Sequence, residues 1–234
     1  MDGGDEMSAT IHTAMHNTAT DWDDYSRSFQ SVMPSQMLRL NQEVASHMRG
    51  HVVDFGCGGG KIIPFVLEQP SVTSYTGIDA ALEMVRRARW MGEQFSDKPS
   101  RIVHGRIEEV VVEKADSALS INSYYNWSDS RLVLEKIGQL LKPGGIFLLA
   151  TISARLDMKA LLKAAQKECV AHPHWAEFCE HNLRICESTS IRLLELDELI
   201  QEVQAAGFSV DEAHQHLYEG GLSLLVLRKS QLRG

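Results

Sequence analysis

Long apolar runs are missing from this sequence of 234 residues, and none approaches the roughly 18 residues of a membrane-spanning helix. Basic residues are too few to balance the acidic ones, so the net charge is −8 and the pI is about 5.7. An acidic chain lacks the electrostatic footprint for a phosphate backbone, which argues against nucleic acid as a partner. The first residues, MDGGDEM, have no apolar core, and no signal peptide is predicted.

Cysteine is scarce as well, with Cys57, Cys169, Cys179 and Cys186 as the four residues of this type. Their number and context predict reduced thiols in a cytoplasmic protein. Cys179, His181 and Cys186 have side chains that zinc accepts, but their spacing matches no standard zinc pattern. No metal site is therefore predicted.

The composition that remains, 44% hydrophobic and 23% charged, is that of a globular domain. From residue 50 onward, short apolar segments alternate five times with amphipathic ones, and two further strand-like segments close the chain. This alternation predicts an α/β fold with a doubly wound parallel sheet that is covered on both faces. We expect one domain over 1–234, with residues 1–49 as an N-terminal arm and helices.

Glycine and proline mark several predicted boundaries. Pro34 predicts an interruption of the helical stretch 22–48, and KPGG at 142–145 predicts a turn before the fifth strand. The fourth strand is predicted over SALSINSYY, residues 117–125. Gly207 is the expected C-cap of the last helix.

The first apolar segment ends in DFGCGGGK, where three kinds of binding loop are possible. A P-loop is excluded because Phe55 and Ile62 stand where its first glycine and its Ser or Thr are required. The dinucleotide fingerprint Gly-x-Gly-x-x-Gly fails because Lys61 replaces its third glycine. An alternating pattern does fit, and it consists of Asp54, Gly56, Gly58 and Gly60.

Five segments in chain order resemble the motifs of class I S-adenosylmethionine-dependent methyltransferases. They are VVDFGCGGG, YTGIDAALEMVRRA, HGRIEEV, SINSYYNWSD and LLKPGGIFLLAT. The resemblance covers roughly residues 22–230 and is strong because the order is kept throughout. It implies a Rossmann-like methyltransferase sheet, mostly parallel with an antiparallel final strand, S-adenosylmethionine as cofactor, and lid helices within 1–49. Residues 154–190, after the fifth strand, are the expected helical cap over the acceptor.

The resemblance also assigns the cofactor residues, and physical chemistry is consistent with the assignment. Glycines let the backbone approach a ligand closely, and Asp54 can attract the ammonium group of the cofactor. Asp79 lies near the interval at which a carboxylate meets a ribose diol, although it can also cap the following helix. Arg106 stands where the family often has an acidic residue at the adenine. The complete expected set is Tyr25, Asp54, Gly56, Gly58, Asp79, Ala80, Met84, Arg106, Ile107 and Asn122.

The acceptor side is predicted from aromatic and histidine side chains. Tyr124, Tyr125 and Trp127 follow the fourth strand and can form a flat wall, and Trp175 lies in the predicted cap. His172 and His174 are the candidates for a catalytic base. Base-methylating relatives carry prolines after the asparagine, and this chain has none there, which argues against a nucleobase acceptor.

The sequence therefore predicts methyl transfer to the N or O atom of a small planar acceptor, by a monomer or homodimer without membrane or nucleic-acid partners. Three alternatives remain open at this point. The acceptor is a protein or RNA, or the domain binds S-adenosylmethionine without catalysis, or it is an NAD-dependent oxidoreductase, against which the glycine spacing argues.

Overall fold

The computed structural model describes residues 19–95 and 97–230, so the first 18 residues of the predicted N-terminal arm lie outside the described part. Seven strands form one sheet in the order β3-β2-β1-β4-β5-β7-β6. The strands are β1 (Gly50–Phe55), β2 (Val72–Asp79), β3 (Ser100–His104), β4 (Ala115–Ile121), β5 (Leu141–Ile152), β6 (Phe208–His214) and β7 (Leu222–Lys229).

Strands β1 to β5 pair in parallel, whereas β7 runs antiparallel to both β5 and β6. The predicted mostly parallel sheet with an antiparallel final strand is confirmed. The strand order reverses between β1 and β4, and in open α/β sheets ligands bind beyond the carboxyl ends of strands at such a point.

Helices cover both faces of the sheet within the described residues. They are α1 (Ala19–Ser31), α2 (Ser35–Ser46), α3 (Ile63–Glu68), α4 (Leu82–Gln94), α5 (Ser130–Leu140), α6 (Met158–Cys169), α7 (Trp175–Glu187) and α8 (Leu196–Ala205). None of the helices in 19–95 and 97–230 has the length and apolar character that a membrane crossing requires.

Two apolar cores lie on opposite faces of the sheet, because successive strand residues point to opposite sides. Val52 belongs to the core beneath α2, α3 and α4, and its neighbour Val53 belongs to the core beneath α5 and α8. Both side chains are fully buried, which explains why β1 is a continuous apolar run rather than an alternating one.

Pro34 separates α1 from α2, as predicted. The C-cap of α8 is Ala206, and Gly207 follows it with a φ of 87°, one residue later than predicted. Two further local expectations were wrong. Strand β5 already begins at Leu141, and the KPGG residues lie in an irregular part of the ladder, since pairing with β4 jumps from Leu141 to Ile146. Strand β4 ends at Ile121, because Asn122 adopts a φ of 52° and turns the chain away.

Candidate active site

The glycine loop joins β1 to α3 at the point where the strand order reverses. Gly56, Gly58 and Gly60 have φ values of 81°, 52° and 78°, a region that side chains with a Cβ rarely adopt. A Cβ on Gly60 would lie 3.0 Å from the Ala88 backbone, whereas one on Gly58 would meet only Phe29, at 3.6 Å. The space in front of Gly58 is therefore open to a ligand.

Asp79, at the end of β2, holds this loop in place. Its Oδ2 accepts a hydrogen bond from the Gly58 backbone N–H at 2.8 Å, and its Oδ1 accepts one from the Ala81 N–H at 2.9 Å. The second bond is made to Ala81, the N-cap residue of α4, and no side chain caps this helix, so Asp79 does not have the helix-capping role considered from the sequence. A carboxylate has about four lone-pair sites, so both oxygens keep capacity for a ligand hydroxyl.

A single cavity of roughly 630 Å³ extends from the glycine loop to the cap helices. Its size lies in the range of about 300–1,000 Å³ that is typical of ligand pockets. The cavity brings together all ten residues expected at the cofactor and two of the four expected at the acceptor. They are Tyr25, Asp54, Gly56, Gly58, Asp79, Ala80, Met84, Arg106, Ile107, Asn122, Tyr125 and Trp127.

Three side chains in the wall of this cavity carry a buried polar atom without a hydrogen bond of regular geometry: Asp54 Oδ1, Asn122 Oδ1 and Tyr218 Oη. Asn122 and Tyr218 lie close enough to interact with each other. A buried polar atom that stays unpaired destabilises the protein by about 1–3 kcal/mol. Several such atoms in one cavity indicate a site where a bound ligand supplies the missing hydrogen bonds. Two acceptor oxygens fit the ammonium of an amino-acid ligand. The residues present therefore fit S-adenosylmethionine, which carries such a group.

The other carboxylate oxygen of buried Asp54, Oδ2, does have a partner, because the hydroxyl of Tyr75 donates to it at 2.6 Å. Burial raises the pKa of Asp54 to about 7, the bond from Tyr75 opposes this, and the nearby Asp79 carboxylate adds to it. Burial also raises the pKa of Asp79, while the backbone bonds from Ala81 and Gly58 lower it.

The adenine side of the cavity is less polar. Met84 and Ile107 are buried in its wall, and Arg106 is exposed at the rim. The Arg106 guanidinium donates to Glu108 and to Ser128, so its donors are directed at the protein. Glu108 lines the same cavity and is an acidic side chain two residues after Arg106.

The structure corrects the expectation for the two histidines, because neither His172 nor His174 lines this cavity. Both lie in the turn between α6 and α7, where the His172 ring packs near the His174 ring. His174 also faces Glu177, with 3.4 Å between Nδ1 and Oε2. Among the described residues there is no group of three or more potential metal ligands either.

Two predicted acceptor residues also lie elsewhere. Trp175 stacks on Phe178 with ring centroids 5.8 Å apart and is absent from the wall of the main cavity. Tyr124 is buried in the core on the opposite side of the sheet, where its hydroxyl donates to Glu202. In both cases the aromatic ring contributes to packing.

Helix α7 nevertheless contributes to the cavity through a different face. Phe178, Asn182 and Ile185 follow the spacing i, i+4, i+7 and line it together. Asn182 donates to the Tyr25 hydroxyl at 2.6 Å and so connects α7 to α1. Helical periodicity counted from Phe178 predicts this face of α7, whereas the prediction was based on the two histidines in the turn before the helix.

Lys61 and Tyr218 are further wall residues that the sequence analysis did not assign to the site. In the sequence, Lys61 was informative only as the residue in place of the third glycine of the dinucleotide fingerprint. Tyr218 has a φ of 54° and the following Glu219 one of 55°, in the turn before β7. Strained conformations of this kind cluster at functional sites, but nothing in the local sequence signals them.

Comparison with known proteins agrees with this geometry. Residues 29–213 match the model of a family described as "Methyltransferase domain", which is well over half of the chain. The chain belongs to this family. The class predicted from the sequence, a class I S-adenosylmethionine-dependent methyltransferase with that cofactor, is thereby confirmed.

Two curated relatives have sequences similar to this chain. Carboxy-S-adenosyl-L-methionine synthase of Chromohalobacter salexigens is 32% identical over 120 residues, covering 49% of this chain and 44% of the relative. An mRNA cap guanine-N(7) methyltransferase of Arabidopsis thaliana is 30% identical over 151 residues, covering 55% and 40%. The chain thus spans less than half the length of these relatives.

Solved structures share the fold at low identity. The protein DhpI in complex with S-adenosylhomocysteine has a TM-score of 0.64 at 14% identity, covering 94% of this chain and 99% of that one. The putative methyltransferase in the complex with the Haloferax volcanii Trm112 activator has a TM-score of 0.64 at 17% identity, covering 90% and 98%. At these identities the likeness establishes the fold alone.

Proposed function

We propose that the protein transfers a methyl group from S-adenosylmethionine to the N or O atom of a small, planar acceptor. The observation that carries the proposal is the single cavity that joins the glycine loop and Asp79 to an apolar space beneath α1, α2, α6 and α7. Helices enclose the second part of this cavity, which suits a small molecule better than a macromolecular surface.

When bound, S-adenosylmethionine supplies an electrophilic methyl group, so this chain has mainly to position the acceptor. Precise orientation can supply about 7–11 kcal/mol of a barrier by avoiding entropy loss in the transition state. Trp127 and Tyr125 offer ring surface beside Asn122 for a planar acceptor. Tyr25, on α1 and packed against α7, helps to close the cavity and exclude water.

Among the described residues, no histidine lines the wall, and the two groups there with a pKa near 7, Asp54 and Lys61, are buried. Burial raises the pKa of both Tyr125 and Tyr218, so these phenols stay protonated and act as hydrogen-bond donors. Since His172 and His174 lie outside the wall, the proposal gives neither a catalytic role. Acceptor atoms that lose a proton readily, such as a phenol oxygen or an acidic ring nitrogen, fit this environment best.

A macromolecular acceptor is the second candidate, favoured by the similarity to a cap guanine-N(7) methyltransferase over 151 residues. The net charge of −8 opposes it, because RNA binding depends on basic surfaces. A cofactor-binding module without catalysis is the third candidate. One experiment separates the three.

The protein should be incubated with S-adenosylmethionine that is tritiated in the methyl group, together with size-separated fractions of a cell extract. We expect label to appear in a new product of the small-molecule fraction. Label confined to RNA or protein would favour the macromolecular acceptor instead. Cofactor binding without any labelled product would favour the non-catalytic module.

The pKa of Asp54 provides a pH test of the cofactor site. Burial raises the pKa of Asp54 from its ordinary value of 3.8 to about 7, so the carboxyl is mostly protonated in the folded protein below pH 7. A ligand ammonium favours the ionised form, so affinity for S-adenosylhomocysteine should rise about tenfold between pH 5.5 and pH 7. Calorimetry at each pH measures the rise.

Lys61 titrates in the same range and also lines the cavity, so a variant must separate the two groups. Asp54→Asn keeps the shape but cannot ionise, and its affinity should stay low and nearly constant between pH 5.5 and pH 7. An unchanged rise in Asp54→Asn would mean that another group is responsible.

A further inference from the structure

Lys61 is a buried cation in the wall of the cavity without an acidic partner. Its side chain is only 7% exposed, and none of its contacts in the described part of the chain is a salt bridge. Lysines are almost never buried to this degree unless they are paired. This exception is a reason to look for a missing anion.

The contacts of the ammonium group identify the part of the cavity that it serves. Nζ donates to the Val32 carbonyl at 2.5 Å and to Met37 Sδ at 3.2 Å. It lies 4.2 Å from the centroid of the Phe29 ring and 5.9 Å from that of Phe178. Phe29, Met37 and Phe178 belong to α1, α2 and α7, and Val32 directly follows α1. The ammonium therefore lies in the part enclosed by the helices, which we call the helical lobe.

The helical lobe is otherwise mainly apolar. Its wall includes Met37, Met158, Leu161, Leu162, Ala165 and Phe178. One further buried polar side chain, Asn41, lies one turn after Met37 on α2, and its amide makes only a long contact of 3.8 Å with Met33 Sδ. Lys61 and Asn41 thus provide two donors to an otherwise apolar space.

The remaining charged group of the lobe is Glu168 at its rim. The Ser35 N–H and hydroxyl occupy both oxygens of Glu168, at 2.9 Å and 2.8 Å. Glu168 is exposed and directed at Ser35 rather than at Nζ. Cys169, which is buried nearby, raises the pKa of Lys61, but burial outweighs it and lowers that pKa to about 7.

We propose that the acceptor carries a carboxylate on an apolar skeleton, and that Lys61, assisted by Asn41, is the specificity-determining residue that binds this carboxylate in the helical lobe. The inference rests on the proposed function. A carboxylate with two oxygens matches two donors, whereas a phosphate would leave oxygens unpaired among Met and Leu side chains.

The cofactor also contains a carboxylate, in its amino-acid part, and is the other possible source of the anion. The position of Nζ favours the acceptor. The unpaired oxygens that suit the amino-acid ammonium belong to Asp54, near the end of β1, and to Asn122, which follows β4. Nζ instead contacts Phe29 on α1 and the Val32 carbonyl just after it. The experiment must nevertheless distinguish the two sources.

Benzoate and benzamide are suitable probes, since they share a planar apolar ring and differ in charge. We expect benzoate to bind the complex with S-adenosylhomocysteine at least about tenfold more tightly than benzamide, the scale of a charge-assisted hydrogen bond. Lys61→Met should reduce the ratio of benzoate to benzamide affinity to about twofold or less, and Lys61→Arg should keep part of the preference for benzoate. Calorimetry or ligand-detected NMR measures these ratios.

Lys98→Met is the matched control, because Lys98 also donates to a backbone carbonyl, that of Gln69 at 2.6 Å, but does not line the cavity. It should leave the benzoate preference unchanged. Replacing a buried charge by an apolar side chain of similar size is often tolerated, and Met has that size. If Lys61→Met fails to fold, the ratio of benzoate to benzamide affinity in the wild-type protein still tests whether the helical lobe binds a carboxylate.

Three results would overturn the inference. The first is that the wild-type protein binds benzoate and benzamide equally or binds neither, and the second is that the preference for benzoate survives in Lys61→Met. The third is that Lys61→Met loses about tenfold or more of its affinity for S-adenosylhomocysteine. The last result would assign Lys61 to the cofactor carboxylate. Wild-type protein that does not bind S-adenosylhomocysteine would contradict the proposed function instead, and the benzoate ratio is then measured on the free protein.

Discussion

Gly58→Val is expected to reduce the affinity for S-adenosylhomocysteine by about a hundredfold or more, because the branched side chain projects into space that the ligand needs. A Cβ at this position would meet only Phe29, at 3.6 Å, so the added atoms have room in the ligand-free protein. The φ of 52° is nevertheless unfavourable for valine, and some loss of stability will accompany the loss of binding.

Gly144→Val separates strain from occlusion. Gly144 has a φ of 75°, a Cβ there meets nothing within 4 Å, and the residue does not line the cavity. This variant should show a comparable decrease in melting temperature with unchanged affinity. Equal affinities for Gly58→Val and the wild-type protein, with the fold intact, would contradict the placement of the ligand at the glycine loop.

Asp79→Ala is the second change with a large expected effect. It removes a carboxylate that fixes the Gly58 and Ala81 backbone N–H groups and that, in our proposal, binds the ribose through its remaining lone pairs. We expect binding of S-adenosylhomocysteine to weaken by about 1.5–3 kcal/mol, the scale of hydrogen bonds to charged groups. Calorimetry at constant pH measures the change.

Asp116→Ala is a suitable comparison for this variant. Asp116 also accepts from a backbone N–H, that of His51 at 2.8 Å, and from Lys142, but it lies in the second position of β4 and does not line the cavity. Its loss should destabilise the fold without changing affinity. If Asp116→Ala weakens binding as much as Asp79→Ala, the effect is a general consequence of stability and not of ligand contact.

Much of the fold and the cofactor side of the cavity could be predicted because their signals are local. The glycines follow β1, Asp54 and Asp79 lie at or near the ends of β1 and β2, and parallel strands bring their carboxyl ends to one edge. Local sequence therefore determines where these side chains lie, and the sheet determines which of them meet.

The acceptor side was less predictable because it depends on how helices from distant parts of the chain pack together. Histidine chemistry suggested His172 and His174, yet the orientation of α7 turns Phe178 and Asn182 toward the cavity. Lys61 became interpretable only through its contacts with Val32 and Met37, about thirty residues earlier in the chain. Neither fact follows from spacing or composition.

The central claim is that the cavity binds S-adenosylmethionine and not another nucleotide. Titration calorimetry of the purified protein with S-adenosylhomocysteine, NAD and ATP under one set of conditions tests it most directly. We predict saturable binding of S-adenosylhomocysteine with a stoichiometry near one and no detectable heat with NAD or ATP. Tighter binding of NAD, or no binding of S-adenosylhomocysteine, would contradict the account.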